Sequence, residues 1–423
     1  MFYTRKLIFM VHIQVRYSTR NERGIEMQKL AILGGSPIRE KPIYYGKQYI
    51  DEDDIMAVVE TLKQPLITSG PKIDEVEEKI CEITGAKYAV VVANGTAALH
   101  IACMSLGIGE GDEVITTPLT FVASANSILY CGAKVVFADV NPYTYNICVE
   151  DIKRKITSRT KAIIAVDFTG QAAELDKIRE ICKQNNLYFI EDAAHAIGTR
   201  YDGAAVGSIA DVTCFSFHPV KTVTSGEGGA VTTNDIDIYR KLKLLTGHGI
   251  TRDQEMMIEE PHGSWYYEQI ALGFNYRMTD FQAALLISQL NKLSEFSSKR
   301  KQIIQCYNNA FKDIDEIILQ KNHPKSDTTP HLYIIQLDLD KLNCTRKEFF
   351  DAMKAEGINC QIHYIPVYYH PYYSKLGYKK GICSNAEKIY ERIMSIPLYY
   401  EMKDEDINDV VDAVKKIVEW YRK

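Results

Sequence analysis

Residues 88–106 read YAVVVANGTAALHIACMSL. The first part, Tyr88–Ala93, is a continuous apolar run of strand length, and Thr96–Leu106 has the composition of a helix. Only the small polar pair Asn94 and Gly95 separates the two parts. The stretch therefore predicts a buried strand that leads through a tight turn into a helix, which is the unit from which α/β proteins are built.

The same alternation continues on both sides of this unit. Strands are predicted at Asp112–Thr116, Lys134–Ala138, Ala162–Asp167 and Tyr188–Asp192, and helices at Asp74–Cys81 and Glu174–Gln184. Strands that are apolar on both faces are expected where helices cover both sides of a sheet. We therefore predict an α/β fold with a mostly parallel central sheet and helices on both faces.

The pattern changes after a long helical stretch that runs from about Thr279 to Phe311. Beyond it the sequence predicts strands His331–Leu339 and Gln361–Pro366 and helices Arg346–Glu356 and Glu405–Tyr421. We predict an N-terminal arm and large domain over residues 27–290, and a small C-terminal α+β domain over residues 291–423. We interpret residues 1–26, which lack a signal-peptide cleavage site, as a non-native leader ahead of a natural start at Met27.

The composition is that of an ordinary globular protein. The chain has 423 residues, of which 46% are apolar and 25% charged, and its net charge of −5 gives no electrostatic basis for binding nucleic acid. Its 10 cysteines include no C-x-x-C pair and no zinc-ligand spacing, so we expect reduced thiols, no metal and a cytoplasmic location. No run approaches the length of a membrane span, and no membrane partner is expected.

The turn after the strand at residues 88–93 is a candidate phosphate site. It would place the backbone N–H groups of Gly95, Thr96 and Ala97 at a helix N-terminus, where they could bind an anion. For such a turn taken alone, a plain helix cap is the alternative interpretation.

A candidate acidic site lies at the end of the strand at residues 188–192. Asp192 ends the apolar run, and the small residues Ala193 and Ala194 that follow cannot cover its carboxylate. A buried carboxylate is costly unless it has a cationic partner. Glu191, one residue earlier, is expected to face the other side of the sheet as a solvated or paired structural carboxylate.

A candidate nucleophile follows the apolar run at residues 215–217. Lys221 stands between this run and the glycine-rich bend Gly226–Gly229, which is a partly dry and tightly packed position. An amine in such a position can lose its proton and attack carbonyl carbons. Taken alone, the alternative is a lysine that reaches solvent in a sheet protein without catalytic function.

The three sites together match the requirements of pyridoxal 5′-phosphate. In enzymes that use this cofactor, a lysine bonds to its aldehyde and a carboxylate pairs with the protonated pyridine nitrogen. A helix N-terminus is suited to its phosphate. We therefore predict that the chain binds pyridoxal phosphate.

Six motifs extend this interpretation over the chain from about Ile43 onward. They are Asn94-Gly95-Thr96-Ala97, Thr120-Phe121-Val122-Ala123, Glu191-Asp192-Ala193-Ala194-His195-Ala196, Ser216-Phe217-His218-Pro219-Val220-Lys221, Gly226-Glu227-Gly228-Gly229 and Gly273-Phe274-Asn275-Tyr276-Arg277-Met278-Thr279-Asp280. With them the sequence resembles the DegT/DnrJ/EryC1/StrS family of aminotransferases that act on nucleotide-linked keto sugars. The resemblance implies a fold type I transferase that depends on pyridoxal phosphate.

The resemblance also implies roles for single residues. Lys221 corresponds to the lysine that holds the cofactor, Asp192 to the partner of the pyridine nitrogen, and Phe121 to the aromatic ring that stacks on the cofactor. The phosphate ligands are matched by Thr96, Ala97 and Ser216, with Gly95 in the same turn.

Two further residues match the family less specifically. His195 lies beside the cofactor in the family and is expected in the catalytic site, without an assigned role. Asn275 matches a residue that reaches the phosphate of the neighbouring subunit. This match implies a homodimer with shared active sites.

Three segments resemble family members with a particular substrate. Ser216–His218, Trp265–Glu268 and Gln361–Val367 are similar to enzymes that move the amino group of L-glutamate to C4 of a UDP-linked 4-keto-6-deoxy-N-acetylhexosamine. Two alternatives stay open, namely an aminotransferase of the GDP-perosamine or UDP-4-amino-4-deoxy-arabinose type, and a non-catalytic regulator that binds pyridoxal phosphate. The presence of both Lys221 and Asp192 favours an enzyme.

Overall fold

The computed structural model describes residues 28–423, so the interpretation of residues 1–26 as a leader lies outside the described residues. The α-helices are α1 Glu52–Leu62, α2 Pro71–Thr84, α3 Gly95–Ser105, α4 Ala123–Tyr130, α5 Val149–Lys155, α6 Leu175–Asn185, α7 Ile236–Thr246, α8 Asp280–Asn291, α9 Leu293–Phe311, α10 Arg346–Ala355, α11 Pro371–Lys375, α12 Ser384–Arg392 and α13 Asp404–Tyr421. The strands are β1 Tyr88–Val92, β2 Glu113–Thr116, β3 Lys134–Phe137, β4 Thr160–Val166, β5 Tyr188–Asp192, β6 Arg200–Tyr201, β7 Ala204–Ala205, β8 Val212–Ser216, β9 Gly229–Thr233, β10 Ile250–Thr251, β11 Glu268–Gln269, β12 Ile317–Leu319, β13 Ser326–Asp327, β14 Tyr333–Leu337 and β15 Ile393–Ile396.

The large domain is built on a seven-stranded sheet in the order β1-β9-β8-β5-β4-β2-β3. The neighbours β3, β2, β4, β5 and β8 are parallel, whereas β9 runs antiparallel to both of its partners. The prediction of a mostly parallel central sheet is therefore confirmed. In the register of this sheet, Asp192 lies opposite Val166 on one side and Cys214 on the other.

Helices cover both faces of this sheet, as predicted. Along β1, Val90 and Val92 pack into a layer that includes α3, α4 and α7. The alternate residues Ala89 and Val91 pack into a second layer that includes α2, α5, α6 and α8. Because successive side chains of a strand point to opposite faces, an apolar residue at every position of β1 is what two covered faces require.

The small domain has a three-stranded antiparallel sheet, β12-β14-β15, which packs with α9, α10 and α13. The predicted strand Gln361–Pro366 is wrong. Only Gln361 pairs with this sheet, through two backbone bonds to Ser395 of 3.0 and 2.8 Å, and the chain then leaves it. The following residues, His363 and Tyr364, line a cavity instead, and Pro366 has no N–H to continue a ladder.

The predicted helical stretch from about Thr279 to Phe311 is confirmed, and in the structure it is divided into the two helices α8 and α9. The break falls at Lys292, whose ammonium group binds the carboxylates of Asp51 and Asp54 at the start of α1. The break lies next to the predicted domain boundary at residue 290, and the domain boundary itself stays a prediction.

The N-terminal arm is held by the small domain. The carboxylate of Glu356 accepts hydrogen bonds from the backbone N–H groups of Ala31 and Ile38, at 2.9 and 3.0 Å, and from Lys416 at 2.9 Å. Arg39 forms ion pairs with two aspartates of α13. Since Glu356 and Lys416 are both buried, these bonds fix the arm more strongly than surface ion pairs could.

Residues 28–423 contain no membrane-spanning helix, no group of metal ligands and no disulfide. No helix in this range combines the length and the apolar character that crossing a membrane requires. No group of three or more histidine, cysteine, aspartate or glutamate side chains in it is arranged to hold a metal ion. All 10 cysteines lie in this range, and all are free thiols.

Candidate active site

A cavity of about 990 Å³ lies at the carboxyl ends of the central strands, beneath residues 361–365 of the small domain. This is the edge at which open α/β sheets bind ligands. The cavity brings together eight of the predicted site residues, which are Gly95, Thr96, Ala97, Phe121, Asp192, His195, Ser216 and Lys221. The ninth, Asn275, is exposed and does not line this cavity.

The predicted phosphate turn forms the N-terminus of α3. Asn94 is the N-cap residue, and its side chain accepts a hydrogen bond of 2.9 Å from the N–H of Ala97. One of the three predicted donors is thus already used. The N–H groups of Gly95 and Thr96 lie in the first turn, where no intrahelical acceptor exists, so they are suited to bind an anion together with the nearby side chain of Ser216.

Gly95 is required by this close approach, and we expect its replacement by alanine to weaken cofactor binding about tenfold. A Cβ atom at position 95 would lie 2.9 Å from Cβ and 3.1 Å from Oγ of Ser216, so the turn or Ser216 must move. The measurement is a titration of the apoprotein with pyridoxal phosphate, followed by visible absorbance. Gly109→Ala is the matched control because its Cβ atom meets nothing closer than 4.0 Å. Equal affinity of Gly95→Ala and wild type would refute the proposed cradle.

Asp192 lies at the end of β5 and is 4% exposed. Its carboxylate accepts hydrogen bonds from Ser124 Oγ, at 2.6 Å, and from the N–H of Ala194, at 3.2 Å. Burial raises the pKa of Asp192, while the bond from Ser124 acts against the rise. No cationic side chain of residues 28–423 forms an ion pair with it. A buried carboxylate without a cation at a cavity wall fits the protonated ring nitrogen of the predicted cofactor.

Lys221 lines the same cavity and is half-buried. Burial lowers its pKa to about 8, and the negative charge of Asp192 partly opposes this effect. The bend around it is held by backbone bonds from Phe217 to Gly228 and from Ser225 to Phe217, of 2.9 and 3.0 Å. A rigidly placed amine with a lowered pKa is a suitable nucleophile for an aldehyde.

His195 belongs to a cluster that the sequence did not reveal. Its Nε2 atom lies 3.3 Å from the hydroxyl group of Tyr364, and its ring centroid lies 4.3 Å from that of His331. Burial, together with the charge of Lys221, holds the pKa of His195 well below its usual value, so the imidazole is neutral. Neutral groups of this kind can bind and orient a polar ligand without adding charge to the cavity.

Sequence reasoning missed Ser124, His331 and Tyr364. Ser124 directly follows the motif at residues 120–123, but nothing in its own sequence context indicates a bond to Asp192. Tyr364 falls within the predicted strand Gln361–Pro366, and a strand pattern does not indicate a cavity residue. Phe121, in contrast, was predicted as the stacking ring, and its 57% exposed side chain lines the cavity 6.2 Å from the ring of Tyr364.

Glu191 lies outside the cavity, as expected for a structural carboxylate, but it is completely buried, so of the two alternatives the solvated one is wrong. Thr213 Oγ1 donates to one of its oxygens at 2.8 Å. The other oxygen of Glu191 and one oxygen of Asp167 receive no hydrogen bond from any described residue. Burial raises the pKa of both groups, and the charge of Glu191 raises that of Asp167 further. We therefore expect the two carboxyl groups to share a proton.

This acid pair makes stability depend on pH. Carboxyl groups with a raised pKa in the folded state stabilise the fold at low pH and lose this contribution as the pH rises through the folded pKa, by up to about 1.4 kcal/mol per pH unit. We expect Glu191→Gln, whose amide can donate to Asp167 permanently, to flatten the fall of urea midpoints as the pH rises above the usual carboxyl range. Glu110→Gln, on an exposed residue, should keep the wild-type slope. An unchanged slope in Glu191→Gln would contradict the shared proton.

The comparison with known sequences gives a consistent result. Residues 48–415 match the DegT/DnrJ/EryC1/StrS aminotransferase family. The chain is 41% identical to the spore coat polysaccharide biosynthesis protein SpsC of Bacillus subtilis, over 88% of this chain and 96% of the relative. It is 39% identical to a UDP-4-amino-4,6-dideoxy-N-acetyl-β-L-altrosamine transaminase of Campylobacter jejuni, over 90% of this chain and 99% of that one.

Solved structures agree with the sequence matches. Helicobacter pylori PseC, an aminotransferase involved in pseudoaminic acid biosynthesis, is 32% identical and superimposes with a TM-score of 0.83 over 90% of this chain and all of that one. The PLP form of the putative sugar aminotransferase Spr1654 of Streptococcus pneumoniae is 29% identical with a TM-score of 0.83, over 90% and 99% of the two chains. The chain therefore belongs to the DegT/DnrJ/EryC1/StrS family and is a sugar aminotransferase of fold type I that depends on pyridoxal phosphate.

Proposed function

We propose that the protein transfers the amino group of L-glutamate to C4 of a UDP-linked 4-keto-6-deoxy-N-acetylhexosamine. The product is UDP-4-amino-4,6-dideoxy-N-acetyl-β-L-altrosamine. The observation that carries the proposal is the identity of 39% over nearly the whole length of the transaminase that bears this name. The similarity to PseC supports the same substrate class.

When bound, pyridoxal phosphate supplies an electron sink for the carbon that loses a proton. In the proposed mechanism, Lys221 Nζ holds the cofactor in the resting enzyme and afterwards carries the proton to and from the reacting carbon atoms. A pKa of about 8 suits this exchange near neutral pH, because the amine can both accept and return a proton. Asp192 keeps the ring nitrogen protonated, while Ser124 orients its carboxylate.

The other cavity residues have binding roles in this proposal. The turn at Gly95 and Thr96, with Ser216, binds the phosphate group, and Phe121 covers one face of the ring. His195 and Tyr364 provide neutral hydrogen-bonding groups that orient polar atoms of the cofactor or sugar. Residues 361–365 form part of the cavity wall and restrict the access of water, which protects reactive carbon–nitrogen bonds from hydrolysis.

We also propose a cytoplasmic homodimer in which each subunit completes the site of the other. Asn275 is exposed, and the nearby side chains of Trp265 and Leu272 are 69% and 78% exposed, which is unusual for large apolar residues. We expect Asn275→Ala to weaken cofactor binding and to be inactive at limiting pyridoxal phosphate.

Mixing variants tests this arrangement. If Asn275 serves the neighbouring site, a mixed dimer of Asn275→Ala and Lys221→Ala contains one intact site. After remixing, half of the dimers are mixed, and each of these has one active site of two. Remixing should therefore restore up to about a quarter of the wild-type activity. Light scattering on the same samples gives the oligomeric state. A monomer, or the absence of any recovery in dimers shown to exchange subunits, would contradict shared sites.

A second candidate is an aminotransferase that acts on another nucleotide 4-keto sugar, of the GDP-perosamine or UDP-4-amino-4-deoxy-arabinose type. The identity of 41% to SpsC, a spore coat polysaccharide biosynthesis protein, favours keeping this candidate.

Assays on a panel of nucleotide keto sugars distinguish the candidates. The purified enzyme is incubated with L-glutamate and each sugar, and the product is identified by mass spectrometry and NMR. We expect the highest kcat/KM for the UDP-linked 4-keto-6-deoxy-N-acetylhexosamine. Preference for a GDP-linked or pentose substrate would replace the proposal by the second candidate. Binding of the cofactor without any glutamate-dependent change of absorbance would indicate a regulator.

A further inference from the structure

Two helices beside the cavity bring together thiol and imidazole groups that the proposed reaction does not use. His100 and Cys103 lie three residues apart on α3 and share a face of that helix. Ser127 and Cys131 lie four residues apart, on α4 and directly after it. Two contacts fix how the helices align, since Cys103 Sγ lies 3.7 Å from Ser127 Oγ, and the ring of His100 meets that of Tyr130 at 5.4 Å.

This alignment places the Cys131 thiol beside both Cys103 and His100. Ser127, which contacts Cys103, lies one helical turn before Cys131, and Tyr130, which contacts His100, is its neighbour in sequence. The Nδ1 atom of His100 is bonded to the hydroxyl group of Tyr276 at 3.2 Å, so Nε2 remains available to the thiol. The neighbouring side chains of Cys103 and then His100 lower the pKa of Cys131.

Two other partly exposed cysteines, Cys81 and Cys344, have carboxylates rather than an imidazole beside them. Cys81 and Cys344 are half-buried, as Cys131 is, but burial and nearby carboxylates raise the pKa of each to about 11. Cys103 is completely buried, and the neighbouring Cys131 thiol together with burial raises its pKa well above the usual value. Cys131 therefore ionises more readily than Cys81 and Cys344, and it lies next to a second thiol that is shielded from solvent.

From this geometry we infer that Cys131 is a site of oxidation by hydroperoxides and that Cys103 is its resolving thiol, so that the pair forms a reversible disulfide. A thiolate with an imidazole beside it, partial exposure and an adjacent second thiol are the features of redox-active cysteines. The inference is independent of the sugar substrate, because neither cysteine lines the cavity.

The chemistry occurs in two steps. The Cys131 thiolate attacks one oxygen of the peroxide, which forms an S–O bond and breaks the O–O bond, and the departing oxygen leaves as water or an alcohol after taking up a proton. The sulfur is oxidised by two electrons and the peroxide is reduced. Cys103 then loses its proton and attacks the sulfur of Cys131, so that an S–S bond forms and the second oxygen leaves as water.

Alkylation and peroxide treatment of the native holoenzyme test the inference. At pH 7 we expect iodoacetamide to modify Cys131 at least about 100-fold faster than Cys81 or Cys344, because its thiolate fraction is much larger. After brief exposure to hydrogen peroxide, peptide mass spectrometry should show a Cys103–Cys131 disulfide, with a loss of about 2 Da that dithiothreitol reverses.

Three variants separate this site from general thiol oxidation. Cys103→Ala should retain a sulfenic acid on Cys131, which dimedone traps, and Cys131→Ser should form no disulfide at Cys103. His100→Gln should slow alkylation of Cys131 about tenfold. The inference fails if Cys131 in the wild-type protein reacts no faster than Cys81, or if peroxide yields a disulfide between other cysteines or none at all.

Discussion

Replacing Lys221 by alanine is expected to lower turnover at least about 1,000-fold, while the protein still folds and still binds some pyridoxal phosphate. The variant loses the group proposed to hold the cofactor and the only lysine amine that residues 28–423 place in the cavity wall, where it could move a proton at the reacting carbon. Single-turnover measurements with L-glutamate, followed by visible absorbance, separate loss of chemistry from loss of cofactor.

Lys312→Ala is the matched control, since this lysine is exposed at the end of α9 and far from the cavity in the fold. It should keep wild-type turnover. Turnover within tenfold of wild type in Lys221→Ala would show that another group transfers the proton and would remove the proposed role. Circular dichroism and the urea midpoint establish that both variants are folded.

Replacing Asp192 by asparagine is expected to lower kcat/KM by about 100-fold or more. The amide has nearly the same shape and can still accept from Ser124, but it carries no charge to keep the ring nitrogen protonated. Because Asp192 also raises the pKa of Lys221, the pH at which Lys221 loses its proton should fall in the variant. Steady-state kinetics and a spectroscopic pH titration measure the two effects.

Asp313→Asn, on an exposed residue after α9, is the control for loss of one negative charge. It should change neither kcat/KM nor the titration. If Asp192→Asn keeps wild-type kcat/KM, then the carboxylate is a structural group and the assignment of the ring-nitrogen partner is wrong.

The features that lie close together in sequence could be predicted. The apolar runs predicted the parallel strands, because strands that are covered on both faces are apolar along their whole length. Strand β5 begins and ends at the predicted residues Tyr188 and Asp192. Small residues that follow a strand mark both the turn at Gly95 and the glycine-rich bend after Lys221. Strand ends of a parallel sheet meet at one edge, so these separate signals could be combined into one cavity.

The features that depend on distant contacts could not be predicted. Ser124 reaches Asp192 across 68 positions of sequence, and Tyr364 reaches His195 across 169. The segment from Gln361 onward has the alternation of a strand but serves as a cavity wall, because only Gln361 pairs with the small sheet through its backbone and Tyr364 contacts His195 of the large domain. Alternation alone does not show which surface a segment will face.

The most direct test of the account is to identify the lysine that holds the cofactor. The purified holoenzyme is reduced with sodium borohydride, digested and mapped by mass spectrometry. The account predicts a phosphopyridoxyl group on the peptide that contains Lys221 and on no other lysine. Labelling of a different lysine, or no stable label in a protein that carries the cofactor, would contradict it.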